Sequence, residues 1–392
     1  MRRYSIDDER RIRLQAQVRA WTRAGFLRPD QGAAIAAQLR ADVKRTNDLL
    51  RAALALFTLV IVAAGVALVF VTLGFDRGRS SMAVVCLIAG AACAALAEYL
   101  VGAFRLYRHG VEEALAIASV LLFAFGVAEA VGASPYSVWW RVWLIVASIG
   151  AFAVYVRFGF VYAAVGAMIF AALVPAQFQL AEGLERTLAA AVFGGAFLIA
   201  WTARIGHGGD FPGDEYAILQ AAACAGLYLA LNLHVADAIA FVVPRATPSI
   251  PGWFYWGTYA ATWVIPAAAL ATAIREKDRA LLTVSIALAL CTLVTNKPYL
   301  GWPRQSWDPM ILGVLLAGAA LALRRWLNAG PNGQRRGFTA ARILERDRDI
   351  LSALATASVA WHGRRHEAPP AEPRSSDFAG GRSGGAGGGA EY

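Results

Sequence analysis

Charge is scarce in this chain. Only 16% of its 392 residues are Asp, Glu, Lys or Arg, against about a quarter in a soluble domain. Cysteine is scarcer, four in all, and Cys86, Cys93, Cys224 and Cys291 each fall inside a long apolar run without paired spacing. That excludes a disulfide framework and leaves them as small packing residues. Also missing are a Walker loop, an HExxH helix, a CxxC pair, a nucleophile elbow and a dinucleotide fingerprint on a strand–helix unit. The terminal GGRSGGAGGGAEY imitates part of a glycine fingerprint but is low-complexity sequence. These absences leave no cofactor to expect and no catalytic residue to name, so the expectation is a non-enzyme.

What the chain has instead is apolar bulk: 58% hydrophobic residues and a mean hydropathy of +0.49. A helix needs roughly 20 apolar residues to cross about 30 Å of hydrocarbon. Ten runs meet or approach that length, near 52–74, 82–104, 114–133, 138–156, 158–178, 187–203, 216–237, 257–274, 280–296 and 309–327. Only Arg157, Phe158 and Gly159 separate the fourth from the fifth, so a re-entrant pair is the alternative there and the range is eight to ten. The fold class expected is an all-α polytopic transmembrane bundle. About fifty polar residues precede the first run, which makes that run an uncleaved anchor.

Orientation follows from basic flanks, which stay on the cytoplasmic side. Residues 1–51 carry twelve Lys and Arg against six acids, and Arg324, Arg325, Arg335, Arg336, Arg342, Arg346 and Arg348 follow the last run. Both ends therefore belong in the cytoplasm, as an even number of crossings requires. The loops divide their basic residues equally and decide nothing. A net charge of +10 needs no nucleic acid here, because the cations are spread over loops and ends rather than gathered on one face. Trp139, Trp140, Trp143, Trp253, Trp256, Trp302, Trp307 and Trp326 lie near span ends, where amphipathic rings anchor at headgroup level. The bilayer is thus the first partner.

The organisation expected is a cytosolic helical hairpin over 1–50, the bundle over 51–328, a cytosolic amphipathic helix within 329–361 and a disordered Gly/Pro/Ser-rich tail over 362–392. In the hairpin Leu14, Val18 and Trp21 share one stripe, Gly25 stops the first helix, and Pro29-Asp30 starts a second bearing Ile35, Leu39 and Val43. Either 1–50 or 340–360 offers a surface for a cytosolic protein partner.

Residues 10–40, RRIRLQAQVRAWTRAGFLRPDQGAAIAAQLR, resemble the cytosolic head of a bacterial domain-of-unknown-function family of polytopic membrane proteins. HGVEEALAIASVLLFAFGVAEAVGASPYSVWWRVW resembles that family's third and fourth spans, with Glu113 where its members tend to carry a glutamate. The likeness covers about the first 150 residues. It departs after the first span, where the family's Asn-Trp pair is replaced by VTLGFDRG. The resemblance implies a membrane protein with a helical head and carries over no activity and no catalytic residue.

Ionisable groups within a bilayer cost at least about 2.5–3.5 kcal/mol at mid-depth, so each invites a functional reading. Glu98, toward the cytoplasmic end of the second span, stands as an isolated intramembrane acid, and Glu129 lies in the opposite leaflet. An outer-leaflet pocket is expected from Glu129, Arg141, Asn232, His234 and Asp237, with His234 and Asp237 three apart on one helix face. The bland reading is that these groups are hydrated at the interface. The loop ARIGHGGDFPGDE offers His207, Asp210, Asp214 and Glu215, hard ligands without EF-hand spacing, and no metal is expected there. Pro175 and Pro266 are expected to break the fifth and eighth spans, as in transporters with discontinuous helices. Three functions stay open: a non-enzymatic membrane protein, a secondary transporter of a small polar solute, and a membrane-embedded transferase acting on a lipid-linked substrate.

Overall fold

A long apolar run with no water to compete for its backbone closes its hydrogen bonds within itself, as a helix. The computed structural model describes residues 4–23, 26–39, 41, 43–72, 79–132, 136–178, 180–206, 213–235, 251–302, 305, 307–330, 334–335 and 338–339. Apart from turns and one two-residue antiparallel pair, β1 Gln334–Arg335 with β2 Phe338–Thr339, the regular structure described is helical. The helices are α1 Ile6–Arg23, α2 Pro29–Gln38, α3 Asp48–Thr72, α4 Arg79–Phe104, α5 Val111–Ala130 and α6 Tyr136–Phe158. They continue with α7 Val161–Leu173, α8 Glu182–Gly206, α9 Gly213–Leu231, α10 Gly252–Glu276, α11 Arg279–Tyr299 and α12 Asp308–Asn328. Seven of them, α3, α4, α5, α6, α8, α10 and α11, are long and apolar enough to cross a membrane, while α7 and α9 are apolar but shorter.

Helix starts follow local chemistry. The Asn47 side chain caps α3 by accepting from the Leu50 N–H at 2.8 Å, and Asp278 caps α11 through the N–H groups of Ala280 and Leu281. Pro29 opens α2 at the first helical position, and Gln31 reaches back to the Arg28 N–H at 3.2 Å. In the hairpin, Gly32 lies against the Thr22 side chain, where a Cβ has no room. Of the predicted stripe, Val18 is buried but Trp21 is exposed.

Contacts divide the chain into two units, Met1–Gln17 with Ala34–Leu312, and Val18–Ala33 with Gly313–Tyr392. Within the first, α5 packs on α3, α4 and α6, and α9 packs on α7, α8, α10 and α11. Burial follows this order. The α5 helix buries small residues such as Ala114, Ala118, Ala124 and Ala128 and leaves Ile117, Leu121 and Phe123 exposed. The α3 helix buries Thr58 and leaves Leu56, Phe57, Val60, Ile61 and Leu68 exposed. An apolar helix with its bulk turned outward is stable against lipid and not against water.

Three expectations need revision or lie elsewhere. The α6 helix is long enough to span by itself, and α7 ends at Leu173 before a 3-10 turn, Pro175–Gln177. Pro175 thus terminates a helix. Pro266, expected to break its span, stands inside a continuous α10. Its ring denies the Thr262 carbonyl the usual i+4 donor, and the Thr292 hydroxyl of α11 donates to that carbonyl instead, at 2.7 Å. The helix continues because a neighbour supplies the lost bond. Residues 340–361 and the tail over 362–392 lie outside the described residues.

Replacing Thr292 by Val should therefore lower stability by about 1–3 kcal/mol, the cost of an orphaned buried carbonyl. In a Pro266→Ala background, where the backbone supplies the donor, the same change should cost clearly less. Thermal unfolding of the four proteins in detergent gives the coupling, and additive effects would contradict this account.

Candidate functional site

The connection from α4 to α5 turns within residues 105–110, and the turn is tight enough to need unusual backbone. Arg105 and Arg108 adopt left-handed φ values of 51° and 50°, and Gly110 reaches 104°. A Cβ on Gly110 would fall onto the Arg51 carbonyl, so glycine is required twice over. The strain is held by the segment before α3. Lys44 N–H donates to Arg105 O at 3.0 Å, Tyr107 N–H donates to Lys44 O at 3.1 Å, and the Thr46 hydroxyl donates to His109 O at 3.3 Å.

This turn places two acids, Glu112 and Glu113, in the first turn of α5, where the helix N-terminus favours negative charge. Both are buried. Arg51, one turn into α3, grips Glu113 with both arms, Nε to Oε2 at 2.6 Å and Nη2 to Oε1. Glu112 accepts from the His109 N–H at 2.7 Å. The start of the chain closes over them. Tyr4 packs edge-on against Tyr107 at 5.0 Å and near Phe160 at 6.2 Å, and Ile12 joins the same core. Arg13 Nη2 meets Glu215 of α9 at 2.7 Å, with Arg108 3.5 Å from the same oxygen.

Four carboxylates, Glu9, Glu112, Glu113 and Glu215, are thus buried at one end of the bundle. Buried charge is tolerated only when it is paired or bonded, and the pairing here is incomplete. Tyr4 Oη, Arg13 Nη1, His109 Nδ1 and Glu112 Oε2 are buried with no hydrogen-bond partner among the described residues. Burial, reinforced by the charges of Glu112 and Glu113, pushes the Tyr4 hydroxyl well above its ordinary pKa. Burial likewise raises Tyr107. Their neutral forms belong to the folded state, so their contribution is intact below about pH 10 and declines as pH rises beyond it.

A second polar cluster lies between α9, α10 and α11. Thr292 directs its hydrogen to Thr262 O, so the Tyr228 hydroxyl donates to Thr292 Oγ1 at 2.9 Å. Asn232 Nδ2 donates to Tyr228 Oη at 2.8 Å and to Thr295 Oγ1 at 3.0 Å. The Tyr299 hydroxyl accepts from Leu233 N–H at 2.8 Å, and Tyr255 donates to Tyr299 O at 2.9 Å. Interhelical hydroxyl and amide bonds of this kind hold helices together where lipid offers no hydrophobic drive.

The predicted outer-pocket residues take separate partners. Glu129 accepts from Trp139 Nε1 at 3.0 Å. Arg141 donates from Nε to Gln177 O at 2.8 Å and lies 4.5 Å over the Phe178 ring. Asn232 and His234 belong together, the His234 N–H donating to Asn232 Oδ1 at 3.0 Å, with His234 Nε2 3.3 Å from Tyr255 Oη and its ring edge-on to Tyr299. Asp237 lies outside the described residues, as do His207 and Asp210. Glu98 is not isolated. Arg157, near the end of α6, binds it with Nε to Oε1 and Nη2 to Oε2, the latter at 3.0 Å. The sequence could not show this, because nothing in two apolar runs says that the end of α4 meets the end of α6. Glu215 is spent on Arg13 and Arg108, and among the described residues no group of three or more His, Cys, Asp or Glu could hold a metal.

Sequence reasoning passed over Arg51, Glu112 and Tyr4, and it offered Glu215 only as a loop ligand rather than as the partner of Arg13. The available signal was two adjacent acids at the mouth of an apolar run, a pattern that also fits a hydrated helix end. Removing one member of the Arg51–Glu113 pair, by Glu113→Gln or Arg51→Met, should cost about 3–5 kcal/mol. The double change to Met and Leu should recover a large part, as read by unfolding in detergent. Tyr4→Phe, which deletes an unpartnered hydroxyl, should be neutral or stabilising. No family model, curated protein or solved structure matches this chain.

Proposed function

We propose that the chain is a ten-span protein of a bacterial inner membrane, with both ends in the cytoplasm, that works without chemical turnover. Its working face would be the end where the start of the chain closes over α5 and α9. One observation carries this reading: the buried carboxylates and their arginines gather at that end. The polar residues near the opposite end of α9, α10 and α11 are bonded to one another instead. The basic ends of the chain support the orientation, and on this reading the three crossings beyond the seven long helices would fall to α7, α9 and α12. The resemblance of residues 10–40 to a helical head points the same way.

Single cysteines in a background cleared of the native four test the topology. A cysteine at Ser5 and one at Asn328 should react with a membrane-impermeant maleimide only after the cells are opened. One at Trp302, between α11 and α12, should react in intact cells. Labelling of either end from outside would overturn the reading.

A secondary transporter for a small polar solute is the second reading, and it draws on the unpartnered Glu112 Oε2 and His109 Nδ1. Buried polar capacity that the protein does not use is what a solute or a proton relay would occupy. Under this reading, proteoliposomes should show proton-linked uptake that falls at least about tenfold in Glu112→Gln. Flux no greater than in empty vesicles would remove it.

A further inference from the structure

The start of the chain meets the bundle along one face. Tyr4, Glu9 and Ile12 are buried, while Ser5, Asp7, Arg10 and Arg11 between them are exposed. The segment is clasped at both ends. Tyr4 stands edge-on to Tyr107 at 5.0 Å, and Arg13 Nη2 meets Glu215 Oε1 at 2.7 Å. Ile12 and Tyr4 share the apolar core beneath with Leu115 and Phe160.

The seam under this segment differs from the rest of the core. Its orphaned polar atoms come from both sides: Tyr4 Oη and Arg13 Nη1 from the segment, His109 Nδ1 and Glu112 Oε2 from the bundle. Among the described residues no other buried side-chain atom is left without a hydrogen-bond partner. The two sides are close, since the charge of Glu112 reaches the Tyr4 hydroxyl. A buried polar group without a partner carries its full desolvation cost, and water supplies the partner when the seam opens. Closing therefore gains apolar contact and an ion pair, and forfeits hydrogen bonds on both faces. A cap built for stability alone would line the seam with apolar side chains. This seam holds the open and closed states near one another in free energy, as moving elements require.

We propose that residues 4–13 are a lid whose lifting admits water to Glu112 and His109 while the helices beneath stay folded. Its use as a gate rests on the carrier reading above; the motion itself does not. The full chain with Cys86, Cys93 and Cys291 replaced by Ala and with Ile12→Cys reads the motion. It carries two buried thiols, one at position 12 under the lid and the native Cys224 in α9. Maleimide labelling in detergent, each rate taken relative to the unfolded chain, is read by peptide-mapping mass spectrometry. The thiol at position 12 should react at least about tenfold faster than Cys224. Tyr4→Phe removes an orphaned hydroxyl from the closed state and should slow that labelling about fivefold or more. Arg13→Gln should speed it at least about tenfold and leave Cys224 unchanged. Equal rates at the two thiols, no acceleration in Arg13→Gln, or acceleration of both thiols would overturn the lid. So would unchanged or faster labelling in Tyr4→Phe, which would mean that the hydroxyl is bonded when the seam is closed. Lifting without flux in proteoliposomes would keep the lid and remove only the carrier.

Discussion

Within hydrocarbon a polar group has no water to turn to, and what it bonds must come from the protein. The helices meet this demand first within themselves. Thr58, Thr72, Thr202 and Thr283 each donate to the carbonyl four residues back, on helices whose surroundings are apolar. Where a helix cannot satisfy itself, a neighbour does so. Pro266 removes one backbone donor, and Thr292 replaces it across the α10–α11 contact. That single hydroxyl also accepts from Tyr228, which in turn accepts from Asn232, so one proline is linked to a network spanning three helices.

The same demand separates the two ends of the bundle. At the end that carries the start of the chain, charges are paired across long stretches of sequence: Arg51 with Glu113, Arg157 with Glu98, Arg13 with Glu215. Arg204 adds a hub there, reaching Gln220, Glu276 and Asp278 and so joining α8, α9, α10 and α11. At the opposite end the bonds are made by hydroxyls, an amide and aromatic rings, as in Tyr255, Tyr299 and His234. Charge pairs of this geometry constrain which helices can be neighbours more than they add stability, because desolvation offsets much of their attraction.

Burial divides the helices by role. The α5 and α9 helices sit among others and are built of small residues, so that backbones approach closely. The α3 helix is the most apolar of the long helices and nearly unburied, which fits a wall against lipid. Both roles produce an apolar run in the sequence. Alanine content does not separate α3 from α5, since each carries six alanines; they differ in which residues are buried.

The helical class and the extent of several long helices were legible from the amino-acid order alone, whereas seven helices and not ten are long and apolar enough to cross a membrane among the described residues. The run near 82–104 became Arg79–Phe104, and that near 280–296 became Arg279–Tyr299. The length of an apolar run is a local property set by bilayer thickness. The partners of the polar residues were not legible. Glu98 looked solitary and Pro266 looked like a break, and both were resolved by residues on other helices, Arg157 and Thr292. Asn232 and His234 read as an open pocket with Glu129, yet their bonds run to Tyr228, Thr295 and Tyr255. Which helices lie side by side is decided by small-residue packing together with pairs such as Arg157 and Glu98, and an apolar run carries almost no mark of that choice. The bilayer therefore writes the spans into the chain, and only the assembled bundle assigns each polar group its partner.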